Sequence, residues 1–232
     1  MKFPSRYQIT DDGILIQDYK DPTDKTLLDR YSKQDYMNSI LSDLQYYRGL
    51  FSSTVLREEL LKNEYDICYS FGGGTLKFES FLRVKEFIIY DAFSFFVQEF
   101  IEFFKTRSNL QANVSFIETF ITSELISSIK LDRNLKTIFT FIHFIEHQSF
   151  DEHINMLKLL PKGIDVIIYG PNVENASSED WIHFRPADHN TFIPLLKFKE
   201  ILQSFNYEIK IASNYGDDLL IYFNTGNDHE RI

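Results

Sequence analysis

Two groups of residues in this chain have types and spacings that can do chemistry. The first is Gly72-Gly73-Gly74, which ends the short apolar run Ile67–Tyr69, together with Asp91, which closes a second run, Phe87-Ile88-Ile89-Tyr90. Glycine lets the backbone turn with φ > 0 and lets a ligand come close to the main chain. Asp91 stands 19 residues after Gly72, near the spacing at which a carboxylate meets a ribose hydroxyl in a nucleoside-binding strand–helix–strand unit. An ionised carboxylate only accepts, so it can take both hydroxyl protons of a ribose. The plainer reading of Asp91 is a solvated strand end. A dinucleotide site is disfavoured, because G-x-G-x-x-G counted from Gly72 places Lys77 at its third glycine. The phosphate loop G-x-x-x-x-G-K-[ST] is absent as well.

The second group is histidine-rich. His143-Phe144-Ile145-Glu146-His147 spells H-x-x-E-H, a zinc peptidase pattern whose two histidines share one helix face. Here it follows a predicted strand and ends just before a turn into Ser149, so no helix is expected to hold it. The readings left are pocket lining and hydrogen-bonded structural histidines, and no spacing in the chain requires a metal. His183, Asp188 and His189 lie with Trp181 in an irregular stretch. A histidine near neutral pKa beside a carboxylate can deprotonate a hydroxyl or amine as it attacks. The alternative is that Asp188 caps a helix starting at Thr191 and the histidines are exposed.

Composition bounds what these groups can serve. A chain of 232 residues, 44% hydrophobic and 16% aromatic, builds one domain with a large core and room for a small N-terminal addition. A formal net charge of −10 repels phosphates and disfavours a broad nucleic-acid footprint. The single cysteine, Cys68, allows no disulfide framework or cysteine-based zinc site within one chain. No run approaches the ~20 apolar residues of a membrane span, and Met1–Arg6 has no apolar signal region. The expected compartment is the cytoplasm.

The elements that must position these residues can be read in order. Tyr7–Ile9 and Ile14–Ile16 flank Asp11-Asp12-Gly13 as a hairpin. Apolar residues at roughly helical spacing from Leu27 to Tyr47, and a short segment Val55–Lys62, predict N-terminal helices. Strands are predicted at Ile67–Tyr69, Glu86–Tyr90, Val114–Ile117, Thr137–Phe141 and Asp165–Tyr169. Helices are predicted after the glycine turn, from Ser94 to about Arg107, around Glu124–Ile129, over Ser149–Leu160 and over Thr191–Phe205. Tyr207–Ala212 and Leu219–Phe223 close the chain as a hairpin. Alternating strands and helices imply a mostly parallel sheet with helices on both faces.

At this point the chain resembles the class I S-adenosylmethionine-dependent methyltransferases. The family's acid-x-G-x-G-x-G loop aligns with Ser70, Gly72, Gly74 and Leu76, so two glycines match while the acid and the last glycine are replaced. His143–His147 resembles the family's H-V-L-E-H segment after the fourth strand. Leu157–Gly163 resembles its R-x-L-K-P-G-G helix ending, and Trp181-Ile182-His183-Phe184 resembles a loop that often carries a histidine. The resemblance covers roughly residues 60–224. It implies a doubly wound, mostly parallel seven-stranded Rossmann-like sheet with an antiparallel last strand. It further implies an N-terminal hairpin and helical lid or addition over residues 1–62, the plainer reading being helices that only pack on the sheet edge, and a cofactor-binding domain over 63–232. Ser70, Gly72, Gly73, Gly74, Asp91, Ala92, Glu118, Phe120 and Phe141 would meet S-adenosylmethionine, with Glu118 or Phe120 at the adenine. His183, His147 and His189 would serve catalysis on a small-molecule or glycan acceptor. Two rivals stand beside this: an inactive methyltransferase-like binding partner, and a nucleic-acid methyltransferase, which the acidic balance disfavours. In the latter the Asp/Asn-Pro-Pro-Tyr tetrapeptide would stand where this chain has Thr140-Phe141-Ile142-His143.

Overall fold

The computed structural model describes residues 4–17, 45–51, 58–73, 76–92, 112–176, 178, 181–184 and 189–226. Ten strands occur among them: β1 Tyr7–Ile9, β2 Leu15–Gln17, β3 Glu64–Phe71, β4 Arg83–Asp91, β5 Asn113–Glu118, β6 Thr137–Ile142, β7 Asp165–Pro171, β8 Thr191–Phe192, β9 Glu208–Tyr215 and β10 Asp218–Asn224. Seven form a sheet in the order β5-β4-β3-β6-β7-β10-β9, and β1, β2 and β8 form a small second sheet. β3 runs parallel to β4 and β6, and β4 parallel to β5. β10 is antiparallel to both β7 and β9. This is the expected α/β sheet, mostly parallel with an antiparallel last strand.

The chain divides into two compact units. One comprises residues 28–121 and 130–142; the other comprises 1–27, 122–129 and 143–232. The N-terminal hairpin pairs through β2 with β8. In the first unit Cys68, Phe71, Phe87, Ile89, Ile138, Phe139 and Phe141 are almost fully buried. In the second, every residue of β7 is buried, as strands covered on both faces require. Leu220–Phe223 of β10 and Phe198 and Leu202 of a helix join them.

Local signals explain the helices that form. Ser149 caps the helix Phe150–Lys158 by accepting from the Glu152 backbone N–H, with Asp151 and Glu152 in the first turn and Lys158 in the last. Thr122 caps Ser123–Ser128 in the same way. Two expectations are corrected. No α-helix follows the glycine turn among the described residues: 76–82 hold a single 3-10 turn, Glu79–Phe81, before β4 begins. The last helix is Leu195–Ser204, not Thr191–Phe205; Thr191 and Phe192 are drawn into β8 instead. The predicted N-terminal helices fall largely on residues 18–44 and 52–57, and the Ser94–Arg107 helix entirely on 94–107, outside the described residues. No described helix is long and apolar enough to cross a membrane.

One buried side chain gives the fold a measurable acid sensitivity. His153 is 2% exposed and stacks obliquely on Phe198 at 5.2 Å. Neither ring nitrogen finds a hydrogen-bond partner among the described residues. Burial pushes it down from 6.5 to about 4, against a smaller opposing pull from Glu146. The folded state therefore refuses a proton that the unfolded chain accepts. The stabilisation is complete above pH 6.5 and is lost as pH falls towards 4, a change of roughly 3 kcal/mol. Urea melts across that range should show this slope, and a His153→Leu variant should lack it.

Candidate functional site

In the first unit, the carboxyl ends of four parallel strands lie side by side. The register pairs Phe71 with Tyr90 and Phe141, and Asp91 with Glu118. Gly72 leaves β3 with φ +68, in the left-handed region that favours glycine. Its N–H donates to the Tyr90 carbonyl at 2.9 Å, which pins the turn beside Asp91. β3 goes next to β4 on one side and meets β6 on the other, so the chain reverses its winding here. Open α/β sheets bind ligands outside the carboxyl ends of strands at such a point. Asp91 and Ala92 are half-buried, while Glu118 and Phe120 are exposed. As register partners, Asp91 and Glu118 project to the same face of the sheet.

Two expected members are engaged in other contacts, and a third is not described. Ser70 is fully buried, and its hydroxyl donates to Glu79 Oε1 at 2.7 Å. Thr140 donates to the same oxygen at 3.0 Å. Burial pushes the Glu79 carboxyl up, against these donors. Ser70 therefore holds an internal carboxylate rather than facing the strand-end surface. Phe141 is 1% exposed and stacks on Phe71 at 4.8 Å, so its ring belongs to the core. Gly74 lies outside the described residues. The free N–H groups expected from a helix after the turn are replaced by the 3-10 turn.

Gly73 earns its place differently. A Cβ there would collide with Ser70 Oγ and stand 2.7 Å from Glu79 Oε1. Gly73→Ala must displace the Ser70 hydroxyl and break its bond to Glu79, leaving the buried acid with Thr140 as its other side-chain donor, a loss of about 1–3 kcal/mol. A lowered denaturation midpoint with unchanged slope is the expected reading.

The second unit gathers the histidines. His143 follows β6 with φ +50, held by its N–H to the Tyr169 carbonyl at 2.7 Å. Ile145–His147 is a 3-10 turn, so H-x-x-E-H presents no common helix face. His143 Nδ1 lies 3.4 Å from Glu146 Oε1. His183 Nε2 lies 3.6 Å from Asp218 Oδ1, while Asp218 Oδ2 accepts from the Tyr169 hydroxyl at 2.8 Å. The His143 and His183 rings stack at 6.0 Å, and the His147 and His189 rings meet edge-on at 4.7 Å. Burial pushes His183 down, with Asp218 opposing. Burial alone would push Glu146 up, but the His143 contact and the fields of His147, His143 and His189 outweigh it and hold it at about 2. Ligand atoms of Glu146, His147 and His189 all lie within 4.8 Å of one another, a set able to hold a metal. Sequence reasoning read Glu146 only through its motif spacing and passed over Asp218.

Trp181 is 5% exposed. It packs with Tyr7, Leu15, Phe184 and Phe192 in a core cluster and meets His183 edge-on at 4.7 Å. It supports His183 from behind. Asp188 lies outside the described residues, and the last helix starts after Pro194 without a side-chain cap.

No protein-family model and no curated protein sequence matches the chain. Solved structures do. An O-methyltransferase family protein from Burkholderia thailandensis is 10% identical, with a TM-score of 0.61 over 85% of this chain and 60% of its own. An O-methyltransferase family 2 protein from Planctomyces limnophilus, solved with apigenin, is 8% identical, with a TM-score of 0.53 over 81% and 61%. A small RNA methyltransferase is 14% identical, with a TM-score of 0.53 over 72% of this chain and 24% of its own. The chain spans about three fifths of the first two proteins' length. At these identities the likeness is one of fold. This chain has the Rossmann-like fold of the class I S-adenosylmethionine-dependent methyltransferases.

Proposed function

We propose that this chain transfers a methyl group from S-adenosylmethionine to an oxygen or nitrogen nucleophile of a small molecule or sugar-like metabolite. The observation that carries the reading is the strand-end surface of Gly72, Asp91 and Glu118 beside the winding reversal at β3 and β6. Asp91 binds the ribose hydroxyls, Gly72 and Gly73 let the cofactor approach the main chain, and Glu118 or Phe120 meets the adenine. Residues 1–62 are an N-terminal addition to this domain.

Transfer is an in-line displacement from the sulfonium. Most of the acceleration comes from orienting the reactants, with effective molarities of order ~10⁵ M or more. His183, supported by Asp218, takes the acceptor proton or orients the nucleophile. His147 and His189 are assigned to the same catalytic group. The net charge of −10 favours a small acceptor over nucleic acid, and salt-dependent binding of a generic oligonucleotide would reverse that preference.

The commitment of Ser70 to Glu79 favours a second reading, an inactive methyltransferase-like binding partner. Mass analysis of the nucleoside that co-purifies with the chain tests the first. S-adenosylmethionine or S-adenosylhomocysteine is expected, and a different nucleotide would overturn the cofactor assignment.

A further inference from the structure

We propose that Glu146, His147 and His189 form a binding site for one divalent first-row transition-metal ion. The three ligand atoms lie within 4.8 Å of one another. Ligands at roughly 2.1 Å from one ion are at most about 4.2 Å apart, so small side-chain rotations close the set.

Glu146 is the anchor. It is 2% exposed, and neither carboxylate oxygen finds a hydrogen bond among the described residues. His143 Nδ1 lies 3.4 Å from Oε1, long for a hydrogen bond. A buried carboxylate without donors is costly unless a cation compensates it. Gly170 of β7 makes room for it, since a Cβ there would lie 3.3 Å from Oε2.

His189 is prepared as a ligand. Its Nδ1 lies 2.9 Å from the His183 carbonyl. A carbonyl only accepts, so Nδ1 carries the proton and Nε2 carries the lone pair. Fixing the tautomer through a backbone carbonyl is the usual outer-shell arrangement of metal-bound histidine. The His189 carbonyl accepts from Tyr7 Oη and from Gln17 Nε2, both at 2.8 Å. The next residues are laced to the other two ligands. Asn190 donates its N–H to the Glu146 carbonyl at 2.6 Å and its Nδ2 to the His147 carbonyl at 2.7 Å. Thr191 Oγ1 donates to the Gln148 carbonyl at 2.8 Å. Two segments 42 residues apart in sequence are thus held in fixed register.

Two imidazoles and one carboxylate suit manganese, iron, cobalt, nickel or zinc, whereas calcium and magnesium prefer sets made of oxygen. Three protein ligands leave coordination positions for water or for an acceptor's oxygen or nitrogen. The test is independent of the methyl-transfer reading, because metal content is measured without turnover.

The test titrates metal-stripped protein with Co²⁺, Zn²⁺, Mn²⁺ and Mg²⁺ by calorimetry, following Co²⁺ by its visible absorption. One equivalent of Co²⁺ or Zn²⁺ should bind, at least about 100-fold more tightly than Mg²⁺. Glu146→Gln, His147→Ala and His189→Ala should each weaken Co²⁺ binding by tenfold or more. His147 is half-buried, so its variant reports even where the buried Glu146 variant fails to fold; circular dichroism checks each. Absence of saturable Co²⁺ binding to the wild type overturns the proposal. Unchanged affinity in folded His147→Ala and His189→Ala overturns it equally. Either failure leaves S-adenosylmethionine binding untouched.

Discussion

His183→Ala should lower turnover about 10²-fold, the low end for a lost general base, while cofactor affinity stays nearly intact. The geometry supports an active rather than a packing role. The ring sits 3.6 Å from the Asp218 carboxylate. That carboxylate is fixed through its other oxygen by the Tyr169 hydroxyl. Trp181 backs the ring edge-on. The backbone carbonyl of His183, which His189 uses, survives the substitution, so the variant isolates the side chain. The pattern of loss carries the information. Loss of turnover with intact cofactor binding places His183 on the acceptor side. Equal loss of both would move it to the cofactor site, and no loss of either would return it to a structural role.

Asp91→Ala should weaken S-adenosylmethionine binding about ten- to hundredfold. Charge-assisted hydrogen bonds to a ribose are worth roughly 1.5–3 kcal/mol, which gives that range. The fold should persist, because Asp91 ends β4 half-buried while the neighbouring core is built from Phe87 and Ile89. Calorimetric titration of the variant checks both points. Unchanged affinity would remove the ribose role and leave Asp91 a solvated strand end.

Much of the sheet was legible because its strands announce themselves. Ile67–Tyr69, Phe87–Tyr90 and Val166–Tyr169 are apolar runs closed by glycine, aspartate or a glycine-proline pair. The misreadings have local causes. Lys77–Arg83 reads as helix, yet its described residues hold a 3-10 turn, Glu79–Phe81. Thr191-Phe192 was absorbed into the following helix, although Pro194 disfavours helix at Ile193 and so marks the boundary.

The site was legible in part. Gly72, Asp91 and Glu118 converge because parallel strands in register end together, which the strand predictions already implied. Ser70 could not be placed, because its partner Glu79 arrives through a turn that was misread. The spacing of His143, Glu146 and His147 pointed to a metal, but the helical template of that motif argued the other way. His189 is brought to Glu146 and His147 by the contacts of Asn190 and Thr191 and by the hairpin residues Tyr7 and Gln17. Pairing across that much sequence has no local signature.

The most direct test of the central reading is calorimetric titration of the wild-type chain with S-adenosylmethionine. Saturable binding of one equivalent is the predicted result, competed by S-adenosylhomocysteine and weakened by Asp91→Ala. No binding at millimolar cofactor would contradict it and leave the fold serving an inactive binding partner.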